Sequence, residues 1–260
     1  MNLESSDAGA RHALLSIEKL RKRFGAVQAT DDVSLTVYPG DVHGLIGPNG
    51  AGKTSLIGQI AGAISPDAGT VVFDGQNITR LQQYQRVRRG LVRSFQITRL
   101  FKGFTAHENL SIAVQARSGT SLSFWRPVAK ERRLADEARS LLSEIGLEHR
   151  ADMRADQLSH GEQRTLEVGL ALATRPQLVL LDEPMAGSGP EESARMVGLI
   201  ERIRAKVSIL LIEHDVDVVF RLADRVSVLV YGKIIACDRP EIVRSDPGVI
   251  AAYLGDESAQ

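Results

Sequence analysis

The chain has 260 residues, of which 43% are apolar and 25% charged, and its 32 basic and 32 acidic side chains balance to a formal charge of zero. That length is long for one domain and short for two, so one compact body with an inserted subdomain is expected. Zero net charge excludes a general electrostatic pull toward nucleic acid or anionic lipid.

Residues 1–13 are polar and small, lack the apolar stretch of a signal peptide, and read as a flexible tail. From Leu14, the stretch LLSIEKLRKRFGAVQATDDVSLTVYPGDVHGLIG alternates apolar and polar positions, with turn signals at Phe24-Gly25 and Pro39-Gly40. This is the pattern of short, half-buried strands. Val42 to Ile46 leads into GPNGAGKT, and KTSLIGQIAGAI then takes up helical spacing. Between Gln76 and His107 stand Arg80, Arg86, Arg88, Arg89, Arg93, Arg99 and Lys102 with no acid, either a solvated basic face or a docking surface for an acidic loop or lipid head groups. From about Ala106 to Leu158 the pattern is mostly helical and charged.

Apolar runs follow at 178–181, 209–212 and 226–231, separated by helical stretches. Strands this apolar suit a parallel sheet buried on both faces. Cys237, the single cysteine, rules out an internal disulfide framework, fits a reducing cytoplasm, and is expected to be a small core residue. No run of about 18 apolar residues occurs, so no segment is expected to span a membrane.

Three of the strand-like runs end in chemistry. Gly47, Pro48, Asn49, Gly50, Ala51, Gly52, Lys53 and Thr54 match G-x-x-x-x-G-K-[ST] at every position, directly after a strand and at the start of a helix. Glycines there let backbone N–H groups converge on an anion; Lys53 would reach the β- and γ-phosphates and the Thr54 hydroxyl would ligate Mg²⁺. Asp182, at the end of the second run, would hold the same metal, and Glu183 is the candidate base for the attacking water. His214, just past the third run, could hydrogen-bond the γ-phosphate. In an open α/β sheet ligands bind outside the carboxyl ends of the strands, where all of these fall. The bland alternatives are a chance glycine turn, two solvated acids at a strand end and a structural histidine.

LSHGEQRTLEVGLALATRP, residues 158–176, has the form of a capping box, Ser159 with Glu162 three residues on, with a bare glycine between them. With the phosphate loop, this set of motifs resembles the ATP-binding subunits of ABC transporters from Leu14 onward. GPNGAGKT resembles the Walker A motif and LVLLDEP the Walker B motif. Gln96 corresponds to the Q-loop glutamine, LSHGEQR to the signature LSGGQ, and His214 to the switch histidine. The resemblance implies an α/β, P-loop NTPase (RecA-like) core with an N-terminal antiparallel β subdomain and an inserted α-helical subdomain. The parts would be a tail (1–13), a first core half (14–97), the helical subdomain with the signature (98–165), a second core half (166–236) and a C-terminal extension (237–260).

The resemblance further implies ATP and Mg²⁺ as ligands. Phe24 would stack on adenine, Ser55 would join residues 47–54 around the phosphates, and Gln96 would join Thr54 and Asp182 at the metal and sense the γ-phosphate. Ser159 and the Gly161 backbone would cap the γ-phosphate of a second, head-to-tail subunit, and Glu162 is expected to turn away from it. Two positions depart from the family pattern: His160 stands where the signature has a glycine, and Gly189 where an aspartate is common.

Within the family the likeness is to importer subunits for branched-chain amino acids, amides or urea, including the tail Tyr253-Leu254-Gly255. The implied partners are permease subunits, a second ATPase subunit of the same or a homologous chain and, indirectly, a solute-binding protein. The implied location is the cytoplasmic face of the inner membrane. Ile97, Leu100, Phe101 and Phe104 are candidate permease contacts, and no nucleic acid is expected. The rival readings are a non-transport ABC-type ATPase acting on nucleic acid or ribosomes, and a self-contained P-loop kinase or GTPase.

Overall fold

The computed structural model describes residues 12–94, 100–118 and 128–257. Strands β1 (Leu15–Phe24) and β2 (Val27–Val37) pair antiparallel, β3 (Val42–Ile46) leads to helix α1 (Lys53–Ala61), and β4 (Ala68–Phe73) and β5 (Gln76–Asn77) return beside β1. The result is a four-stranded antiparallel sheet ordered β2-β1-β4-β5. Next come α2 (Gln83–Arg88), β6 (Leu91–Arg93), α3 (Ala106–Arg117), α4 (Val128–Ile145) and α5 (His160–Ala173). The chain then alternates through β7 (Leu178–Asp182), α6 (Pro190–Ile203), β8 (Ser208–Ile212), α7 (Val216–Leu222), β9 (Arg225–Val230) and β10 (Lys233–Asp238). Helices α8 (Pro240–Arg244) and α9 (Pro247–Glu257) complete it. A second sheet, ordered β10-β9-β3-β8-β7-β6, is parallel from β9 to β6 with β10 antiparallel at one edge. This is the α/β class expected.

β1 and β2 are longer than the short strands expected because bulges re-phase them. Their register slips between Ile17 and Leu20 and again around Lys22, and Lys19 and Asp32 take left-handed φ values of 49° and 54°. Each bulge breaks the two-residue alternation, so in sequence one long strand looks like two short ones.

The parallel sheet separates two cores. Val42 and Ile46, Val179 and Leu181, Ile209 and Leu211, and Val226 and Val228 face a cluster with α3 to α7. Their alternates Leu45, Leu178, Leu180, Leu210, Ile212 and Leu229 face a cluster with α1 and the antiparallel sheet. Burial on both faces is why these strands are apolar at nearly every position.

Two of the basic residues expected on a solvated or docking face instead lie inside. Arg86 donates from Nη1 to the Gln59 and Ile60 carbonyls (2.8 and 2.6 Å), from Nε to Leu81 (3.0 Å) and from Nη2 to Thr79 (2.9 Å). Two of these carbonyls, Gln59 and Ile60, lie in the last turn of α1, where a helix leaves carbonyl groups short of N–H partners. Burial lowers the Arg86 pKa to about 10. Arg93 is the second buried one. Cys237 also departs from expectation: it is exposed, because edge strand β10 is covered on one face only and Cys237 lies on the open face.

His43, mid-strand in β3, is buried; one ring nitrogen bonds the Ser227 hydroxyl (2.9 Å). Burial, reinforced by the charge of Arg225, lowers its pKa from 6.5 to about 4. The unfolded imidazole therefore binds protons between pH 6.5 and 4 while the folded one does not, so this contribution to stability is complete above pH 6.5 and is lost as pH falls toward 4. Urea unfolding at pH 7.5 and pH 5 should show wild type losing about 2 kcal/mol more than His43→Gln. Equal losses would remove His43 from the acid sensitivity.

Candidate nucleotide site

β3, β7 and β8 are parallel, so their carboxyl ends share one edge, with residues 47–54, Asp182-Glu183 and Glu213-His214 following them. The loop after β3 is fixed by close packing. A Cβ on Gly47 would collide with the Leu229 carbonyl oxygen, and one on Gly52 with that of Ala29. Gly52, at φ 104°, opens α1 with no side-chain cap and no acid in the first turn. The first-turn N–H groups and the positive end of the helix dipole are thus left for an anion.

Lys53 is buried and donates to the carbonyls of Gly47 (2.5 Å) and Pro48 (3.0 Å). Burial lowers its pKa, opposed by the carboxylates of Glu183 and Asp182. Thr54 is exposed, Ser55 half-buried, and Asn49 and Gly50 exposed at the mouth of the loop. Tyr253 on α9 reaches the same loop. Burial pushes its phenol up to about 12, while a hydrogen bond from the Gly47 backbone N–H pulls it back.

Asp182 accepts a hydrogen bond from Arg93 Nη2 in an ion pair whose side chains are 16% and 1% exposed. Glu183 is exposed and held at φ 49°, with its N–H bonded to the Ile212 carbonyl (2.9 Å). For a non-glycine residue that conformation costs about 1–2 kcal/mol, and the β7–β8 pairing maintains it. Glu213, fully buried, accepts the Met185 N–H (2.7 Å) and its neighbour's N–H at His214 (3.2 Å). Burial raises the Glu213 pKa, offset by these bonds and the adjacent imidazole.

Ser159 caps α5 and exchanges a capping box with Glu162: its hydroxyl accepts the Glu162 N–H (3.2 Å) and its own N–H donates to Glu162 Oε2 (2.9 Å). Glu162 does not turn away from the helix end as expected. It folds back over the cap, where Arg150 Nε pairs its other oxygen at 2.9 Å. The charge that would repel a phosphate is thereby compensated. From α6, Glu192 Oε1 lies 3.4 Å from the Ser159 hydroxyl, and a Cβ on Gly161 would meet Glu192 Cδ at 2.6 Å. A side chain at Gly161 would therefore have to displace the Glu192 carboxylate. Phe24, at the end of β1, is 48% exposed with Lys22 Nζ 5.4 Å from its ring centroid. Gln96 lies outside the described residues, as do Ile97 and Arg99.

Against known proteins, residues 30–186 match the ABC transporter family. The chain belongs to that family. Residues 233–259 match a second family described as branched-chain amino acid ATP-binding cassette transporter. This ATP-binding cassette is 39% identical over 253 residues to the high-affinity branched-chain amino acid transport ATP-binding protein LivG of Escherichia coli K12, covering 94% of this chain and 98% of the relative. A lipopolysaccharide export ATP-binding protein of Haemophilus influenzae is 34% identical over 246 residues, covering 94% and 98%. Among solved structures, an ATP-binding cassette of an ABC transporter in its ADP conformation superposes with TM-score 0.81 at 32% identity, covering 94% of this chain and 99% of that one.

The cassette thus brings Lys53, Asp182 and Glu183 into electrostatic contact, while Ser159 and Gly161 sit at the α5–α6 junction. The roles of Arg93 and Glu213 are not legible in the sequence. A lone arginine in a basic run and an acid beside a histidine carry no periodic signal; only strand pairing puts them against Asp182 and Met185. Removing Arg93 would strand a largely buried carboxylate without its counter-charge. Arg93→Met should therefore cost about 3 kcal/mol in nucleotide-free urea unfolding. An unchanged midpoint would show that the pair contributes nothing net.

Proposed function

We propose that this ABC cassette binds Mg-ATP at the shared strand edge and hydrolyses it in a head-to-tail dimer, powering import of branched-chain amino acids or a related small polar solute. The observation that carries this reading is the convergence of the phosphate loop, Asp182-Glu183 and His214 at one edge, with the signature on α5 engaged elsewhere. Among the described residues, the hydrogen bonds at Ser159 and Gly161 run to Glu162, Gln163, Thr165 and Glu192, and none to residues 47–55. A signature that serves ATP without touching its own phosphate loop serves a neighbour's.

In this reading the loop N–H groups and α1 receive the phosphates, with Ser55 at the helix start. Lys53 leaves the Gly47 and Pro48 carbonyls for the β- and γ-oxygens, and Phe24 offers its open face to adenine. The donor set of one hydroxyl, Thr54, and one carboxylate, Asp182, joined by Gln96 as the family resemblance implies, suits Mg²⁺, which takes few protein ligands and completes its shell with phosphates and water. When bound, the ion offsets charge on the β- and γ-phosphates. Glu183 polarises the water and His214 holds the γ-phosphate. Ser159 and the Gly161 N–H of the neighbouring copy close the site, so ATP favours the closed dimer and loss of the γ-phosphate releases it.

Among the described residues no helix is long and apolar enough to cross a membrane, so attachment runs through permease subunits. Phe101 and Phe104, 51% and 46% exposed with rings edge to face at 5.8 Å, supply an apolar contact for them beside half-buried Leu100. Asn109 holds this loop through the Phe101 N–H (2.9 Å) and the Phe101, Phe104 and Thr105 carbonyls. The permeases and an external solute-binding protein set the solute, and the assembly lies at the cytoplasmic face. The match over residues 233–259 and the LivG likeness favour branched-chain amino acids.

Glu183→Gln should bind ATP with near wild-type affinity, turn over at least about a hundredfold slower and accumulate as a dimer in size-exclusion chromatography with Mg-ATP. Undiminished turnover would take the base role from Glu183. A site shared between copies also makes wild-type specific activity fall on dilution through the dimer dissociation constant. Concentration-independent activity would instead mark a self-contained enzyme.

A further inference from the structure

We propose that Glu213 is a positioning residue: it fixes the tautomer and orientation of the His214 ring and ties that ring to the turn carrying Glu183. The proposal rests on the reading above that His214 meets the γ-phosphate.

Glu213 follows the last residue of β8, is fully buried and has no arginine or lysine against its carboxylate among the described residues. It is held by main-chain donors on two segments: Oε1 accepts the Met185 N–H at 2.7 Å and Oε2 the His214 N–H at 3.2 Å. Oε2 also lies 3.3 Å from His214 Nδ1, while the His214 side chain is 62% exposed. Among the described residues no hydrogen bond holds that ring, so this carboxylate oxygen is the charged group placed to orient it.

An ionised carboxylate only accepts hydrogen bonds, so a hydrogen bond formed across this 3.3 Å approach would take its proton from Nδ1. Nε2 is then turned outward, away from Glu213. Free imidazole has no such constraint and the ring of an exposed histidine would otherwise rotate. The same carboxylate grips Met185, two residues beyond Glu183, whose own N–H bonds the Ile212 carbonyl at 2.9 Å. Base and histidine thus share one rigid anchor across the β7–β8 pair. A buried acid is costly unless its bonds are worth keeping, and here burial raises the Glu213 pKa with no gain to the apolar core.

The test is the ring nitrogen shifts of His214 in the full chain with ¹⁵N-labelled histidine, assigned by their loss in His214→Ala. In wild type the neutral ring should be the Nδ1–H tautomer. In Glu213→Gln the amide can no longer accept at both segments, so the population should move toward Nε2–H. ATPase kcat should fall about tenfold to a hundredfold, with KM for ATP changed less than about twofold. A wild-type ring in the Nε2–H form overturns the proposal without any variant having to fold. So does an Nδ1–H population unmoved by Glu213→Gln, or a shifted tautomer with unchanged kcat. Wild-type turnover in His214→Ala would instead refute the γ-phosphate reading, a result independent of the tautomer spectrum.

Discussion

The constraint on which the rest depends is that the parallel sheet is buried on both faces. Alternate side chains of β3, β7, β8 and β9 enter two separate cores, so within the strands polar side chains are few. Chemistry is expelled to the strand ends, and the parallel register brings those ends to one edge. The tight entry of the phosphate loop follows from the same packing, since Gly47 and Gly52 press against carbonyls of β9 and β2.

A second theme is internal compensation. Several charged or capping groups assigned to ATP or its metal have a partner within the chain. Lys53 is bound to loop carbonyls, Asp182 to Arg93, and the start of α5 to the carboxylate of Glu162, itself paired with Arg150. Buried charge without a partner is costly, and these exchanges keep the nucleotide-free cassette stable. They also mean that binding is an exchange of partners, so affinity reports the difference between two sets of contacts.

The C-terminal segment joins the same system. α9 carries Tyr253, within the region matched to branched-chain amino acid cassettes, to the Gly47 backbone of the phosphate loop. The same cassette is similar to a branched-chain amino acid transport ATP-binding protein and to a lipopolysaccharide export one.

The sequence by itself determined the motifs and the strand ends that carry them. GPNGAGKT, Asp182-Glu183 and the doubly apolar runs are local patterns, readable because backbone chemistry and two-sided burial each act within a few residues. It misjudged Cys237, Arg86, Arg93 and Glu162, and passed over Glu213, because exposure and charge pairing belong to no single segment. An edge strand differs from a covered one only through its neighbours, and Arg93 meets Asp182 across 89 residues. Tertiary structure decided which charges are compensated and which carbonyls Gly47 and Gly52 press against, since those depend on distances that only the folded chain creates.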